Sequence, residues 1–142
     1  MPSFLHLGVK DIEASAAWYE ALGFQKVYAM PPSGKPFLIH MRWTKYADFL
    51  LVPELAPATT RKGVGIGVSY ATTMAEIDAL YERAKRLGVN IVTEIGNRPW
   101  NTRDFTVTDP DGFTIVFTAG PVEQSLTMET VSARSQRAVG SL

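Results

Sequence analysis

The residues of this chain with chemistry to offer are two histidines, a pair of acids in a turn, and a tryptophan with an arginine close behind it. They are His6, His40, Asp109, Asp111, Trp100 and Arg103. An imidazole can exchange a proton near neutral pH or ligate a metal. An indole can stack on a planar molecule, and a guanidinium can hydrogen-bond a carbonyl or carboxylate beside it. Cysteine is absent, which excludes thiolate nucleophiles, thiolate metal sites and disulfides. No serine stands in a GxSxG elbow, and neither HExxH nor a phosphate-binding loop pattern occurs. The run "GVGIG" departs from the dinucleotide fingerprint and leads along a strand rather than into a helix.

Each candidate has a structural reading beside the functional one. Asp109 and Asp111 stand in "DPDG", where Asp, Pro and Gly occupy the first, second and fourth positions of a type I turn. That is turn chemistry. His6 shares a strand parity with Phe4 and is expected to face a ligand cleft, as either a hydrogen-bonded histidine or a ligand contact. His40 has the opposite parity from Phe37, Ile39, Met41 and Trp43 and reads as a structural strand residue. The two histidines are not expected to converge with a carboxylate on one metal. The common face of Phe37, Ile39, Met41 and Trp43 is either the cleft or a helix-covered core. Arg103 shares a parity with Phe105 and serves either a ligand or an internal ion pair.

The elements that must position these residues form a repeat. "LHLGV" at 5–9 is echoed by "VGIGV" at 64–68, and each leads to a helix with the same ending, "EALGF" and "KRLGV". Asp11 is the expected N-cap of the first helix, with Ile12, Ala16, Tyr19 and Leu22 on its buried stripe. Thr73 and Glu76 suggest a capping box for the second, with Ile77, Leu80, Ala84 and Leu87 buried. Three strand-like runs follow each helix. The expected fold is therefore α+β: two tandem βαβββ modules forming a cupped mixed β-sheet cleft, with helices on the outer faces. Within a single domain spanning 1–142, the modules occupy 3–54 and 64–118, joined by a proline-rich linker at 55–63 and followed by an extension at 119–142.

Fourteen basic residues balance fourteen acidic ones, so nothing favours a nucleic-acid or anionic membrane partner. No apolar run approaches the roughly 20 residues of a membrane helix, and the N-terminus runs directly into a strand pattern, so a cytoplasmic location is expected.

"VKDIEASAAWYEALGF" and "RPWNTRDFTVTDPDGFTIVFTAG", within the paired layout, resemble the vicinal oxygen chelate superfamily of glyoxalases, extradiol dioxygenases, and fosfomycin- and bleomycin-resistance proteins. That resemblance implies a homodimer and, in the enzymes, a divalent metal held on the first and last strand of each module. Carried over, those positions fall on Phe4, on Gly63 or Gly65, and on Val116, none of which supplies a donor that such a cation requires. The pattern is similar to the metal-free bleomycin-resistance branch. The resemblance thus implies a metal-independent protein without a cofactor, sequestering a planar or amphipathic small molecule (an antibiotic or an aromatic metabolite). The expected contacts are His6, Phe4, Phe37, Trp43, Trp100, Arg103, Phe105 and Val116. The alternative is a glyoxalase- or isomerase-like enzyme using His6 as acid–base, or a divalent metal at a nonstandard site.

Overall fold

The computed structural model describes residues 4–44, 47–54 and 65–140. Its elements run β1 (Leu5–Val9), α1 (Ile12–Leu22), β2 (Gln25–Met30), β3 (Leu38–Arg42), β4 (Asp48–Pro53), β5 (Gly67–Ala71), α2 (Ile77–Arg86), β6 (Asn90–Asn97), β7 (Arg103–Thr108), β8 (Thr114–Ala119) and α3 (Met128–Gly140). This is the βαβββ layout twice over, in the α+β class. The two four-stranded sheets share one topology, β1-β4-β3-β2 and β5-β8-β7-β6. The linker expected at 55–63 lies outside the described residues. Among the described residues no helix is long and apolar enough to cross a membrane.

The chain divides into two compact units. The first comprises residues up to Ile66 together with Thr108–Thr114, and the second Gly67–Val107 with Ile115 onward. In the first unit, α1 starts where Asp11, in extended backbone, accepts the amide of Ala14 at 3.0 Å, satisfying one of the free donors of the first turn. It ends at Gly23, whose φ of 114° is left-handed. There the Gly23 and Phe24 amides bond back to the Glu20 and Tyr19 carbonyls, each at 3.0 Å. Ile12, Ala16, Tyr19 and Leu22 are all buried, as their spacing predicts.

Strand parity decides what α1 covers. β1 pairs in parallel with β4, and β3 lies antiparallel between β4 and β2. Leu7, Leu51 and Ile39 stand in one cross-strand row, and Phe49 pairs with Met41 in another. All five are buried, Met41, Phe49 and Leu51 completely. Tyr19 meets Phe24 edge-on at 5.0 Å and Phe49 at 4.9 Å, closing an aromatic cluster between helix and sheet.

The second unit repeats the arrangement with two departures from expectation. The capping box does not form. A turn precedes α2 instead, and the backbone carbonyl of Thr73 accepts the amides of Glu76 and Ile77 at 3.1 and 3.0 Å, so no side-chain cap is needed. Leu87 is half exposed, because the helix closes there and Gly88 (φ 71°) turns the chain so that Val89 takes the buried place. The buried face of α2 is Ile77, Leu80, Tyr81 and Ala84.

The "DPDG" turn belongs to the first unit. The Oδ1 atom of Asp109 accepts the amides of Asp111 and Phe113, both at 2.9 Å, while the Gly112 amide closes on the Asp109 carbonyl at 2.9 Å. The Oδ2 atom of Asp109 accepts the buried Tyr19 hydroxyl at 2.7 Å, which ties this turn to α1. Burial pushes the Asp109 carboxyl above its ordinary pKa of 3.8, against the lowering effect of the Tyr19, Phe113 and Asp111 hydrogen bonds. The folded state therefore holds this proton more tightly than the unfolded chain. Stability from this group is complete below pH 3.8 and falls as pH rises through the raised folded value. Asp109→Asn is expected to flatten that segment of a stability–pH curve, as followed by urea unfolding at several pH values. An unchanged slope would show that Asp109 is not the titrating group.

Candidate functional site

With α1 on one face of the first sheet, the alternating side chains take the other. His6 of β1 is in register with Leu50 of β4, Leu50 with His40 of β3, and His40 with Tyr28 of β2. A single cross-strand row, His6–Leu50–His40–Tyr28, thus runs the width of the sheet on the face away from α1. The row holds register because β2 carries an irregularity between Lys26 and Tyr28, which restores Tyr28 to the partner position of His40. Phe4, just before β1, stacks on His6 with centroids 5.4 Å apart and planes 20° apart. The edge of one ring meets the face of the other for Tyr28 and His40, at 5.2 Å and 88°. Phe4 and Tyr28 are 43% and 46% exposed, and His6 is exposed as well, so this aromatic surface is open to a ligand.

Beside it, in the next row of the same face, lies a polar cluster. Asp48 is buried at the start of β4 and in register with Arg42. The guanidinium grips the carboxylate through two bonds, Nε to Oδ1 at 2.7 Å and Nη2 to Oδ2 at 2.8 Å. His40 Nε2 lies 3.1 Å from the same Oδ2, within ion-pair range but poorly aligned for a straight hydrogen bond. The Arg42 hydrogen bonds hold Asp48 below the usual carboxylate range, outweighing burial, and His40 adds to the lowering. The same bonds hold Arg42 above its usual value.

The expected contacts are distributed over both units. Phe4 and His6 come together as described. Phe37 is exposed just before β3, its amide bonded to the Met30 carbonyl. Trp43 stands on the α1 side, its ring 4.7 Å from Phe24 in the cluster that includes Tyr19 and Phe49, because it has the parity of Ile39 and Met41. In the second unit, Phe105 is fully buried between Tyr81 of α2 and Phe117 of β8. Helix packing uses its whole ring, leaving none for a ligand. Arg103, on the same parity, pairs with Asp78 of α2 at 2.6 Å and with Asn97 Oδ1 at 3.0 Å, the internal ion pair that the sequence left open. Val116 is half-buried and alternates with the buried Ile115 and Phe117. Trp100 is half exposed in the loop before β7, beside a cavity of about 540 Å³ bounded also by Leu126, Met128 and Val131.

Leu50, Tyr28, Asp48 and Arg42 were not among the expected contacts, and His40 was assigned to structure. A signal was present: His40 alternates with Ile39 and Met41, and Asp48 opens an otherwise apolar strand. Among the described residues, no three His, Cys, Asp or Glu side chains are grouped to hold a metal ion.

Asp48→Asn is expected to destabilise the protein modestly near neutral pH, since the part-buried Arg42 bonds lose their charged acceptor while solvent screens the exposed guanidinium. The Asp48 contribution is present above pH 3.8 and is lost as pH falls through the lowered folded value. The gap between variant and native protein should therefore close in acid, as read by denaturant midpoints, and a gap independent of pH would contradict the assignment.

Comparison with known proteins gives a family and a fold. The sequence profile of the Glyoxalase/Bleomycin resistance protein/Dioxygenase superfamily matches residues 3–117. TioX from Micromonospora sp. ML1 is similar in structure, with 21% identity, 87% of this chain and 98% of that chain covered, and a TM-score of 0.67. The fosfomycin resistance protein FosX from Listeria monocytogenes aligns at 18% identity over 91% and 95% of the two chains, TM-score 0.66. Lactoylglutathione lyase from Agrobacterium tumefaciens aligns at 17% identity over 86% and 96%, TM-score 0.58. No curated protein sequence matches the chain.

Proposed function

The chain belongs to the glyoxalase/bleomycin resistance protein/dioxygenase superfamily, and from that premise we propose that it binds a planar or amphipathic small molecule on the open face of its first sheet, without a metal. One observation carries this reading: the row His6–Leu50–His40–Tyr28, with Phe4 stacked on His6, offers exposed rings on a rigid strand scaffold. Rings held on strands lose little freedom when a ligand stacks on them, so much of the contact energy is retained as affinity. The residue types support metal independence, because the family positions carried over to Phe4 and Val116 supply no oxygen or nitrogen side-chain donor. The metal-free, bleomycin-resistance-type branch is accordingly the closest fit. An antibiotic or an aromatic metabolite is the expected class of ligand.

A calorimetric and thermal-shift screen of aromatic metabolites and peptide antibiotics tests the proposal. Phe4→Ala and Tyr28→Ala are each expected to weaken a bound aromatic about tenfold, the loss of one stacking contact. Both residues are nearly half exposed, so thermal stability should change little. A screen without binders, or binding indifferent to both substitutions, would defeat the reading.

The exposure of His6 favours a second reading, an enzyme of the kind named for two of the similar structures, fosfomycin resistance protein or lactoylglutathione lyase. His6 would be its acid–base group, or a ligand of a nonstandard metal site. Metal analysis of protein purified without chelator separates the readings. Less than a tenth of an equivalent of zinc, nickel, manganese or iron is expected for the binding protein, and stoichiometric metal would favour the enzyme.

A further inference from the structure

His40 is more elaborately held than strand packing requires. Arg42 alone already satisfies Asp48 with a two-point grip, and yet the same carboxylate also faces an imidazole that is 92% buried by residue. Most buried side-chain polar atoms are hydrogen-bonded. Here Nε2 lies 3.1 Å from Asp48 Oδ2 in ion-pair range but out of line for a hydrogen bond, and Nδ1 makes none among the described residues. The ring lies in the row between Leu50 and Tyr28, on the face that carries His6 and Phe4. A carboxylate 3.1 Å from one imidazole nitrogen restrains the ring and favours the proton on that nitrogen, so the other presents a lone pair.

We propose that His40, positioned by Asp48, accepts a hydrogen bond from the ligand, and that the open face therefore selects aromatic molecules with an O–H or N–H donor, phenols above all. This rests on the proposed binding at that face and names the ligand class it takes. His6 and His40 flank Leu50 on strands two spacings apart, about 10 Å. An aromatic ring seated over the Leu50 side chain fits between them and can direct a ring substituent to His40. An acidic phenol can pass its proton to Nδ1, giving an imidazolium beside Asp48 and a phenolate, with no net change of charge.

The test compares para-nitrophenol with para-nitroanisole, which has the same ring but no donor, by calorimetry against the native protein. Native protein should bind the phenol about tenfold more tightly, the worth of one hydrogen bond to a positioned acceptor. The absorbance of the bound phenol reports whether its proton has been transferred. His40→Gln should remove the preference, so that within the variant the phenol and para-nitroanisole bind equally. Asp48→Asn, which frees the ring to turn, should reduce the preference partly. Equal affinities in native protein would overturn the role of His40 and leave binding at the face standing. This comparison needs no variant to fold. Failure of both compounds to bind would count against the open face as an aromatic site and so overturn the inference with it.

Discussion

The constraint on which the first unit depends is that one helix can cover one face of one sheet. Leu7, Ile39, Met41, Phe49 and Leu51 must meet Tyr19 and Leu22 of α1, and these apolar residues fix the register of three strands at once. A shift of one residue would exchange the faces entirely, burying His6, His40 and Asp48 under the helix at a cost of several kcal/mol for unpaired polar groups. The site is therefore positioned by its opposite face. The polar row stays together because the hydrophobic row leaves it no alternative.

The same parity argument explains the different fates of the aromatic residues. Trp43 and Phe105 follow the helix-facing parity and become packing, whereas Phe4 and Tyr28 follow the other and remain open. Arg103 shares the packed parity of Phe105, yet sits near the strand end where a guanidinium can reach Asp78 on α2. Size or flatness of a side chain is a weak guide to function. What matters is which of two alternating faces carries it.

The repeat, both helices, the glycine-terminated helix ends and most strands were legible in the sequence, because each rests on local spacing: the buried stripe of α1, Gly23 after it, "DPDG" between β7 and β8. The capping box was not, since a turn carbonyl from Thr73 satisfies the same amides that a threonine hydroxyl would. The site was only half legible. Alternation shows that Ile39 and Met41 oppose His40, but not which set α1 covers, because Phe37 and Trp43 share the parity of Ile39 and Met41 and make that set read as aromatic as any ligand face. Cross-strand register, which brings Tyr28, His40, Leu50 and His6 into line, is set by pairing between distant segments and by the irregularity in β2. It leaves no local trace.

Tyr19 illustrates why a duplicated sequence need not give two separable pieces. Its hydroxyl sits inside the first unit, yet the carboxyl that accepts it comes from Asp109, ninety residues further along the chain. A fragment ending at the linker would contain every strand of the first sheet and still lack the Asp109 carboxyl that accepts the Tyr19 hydroxyl. The repeat is a record of how the sequence is built, while the folding unit draws on both halves.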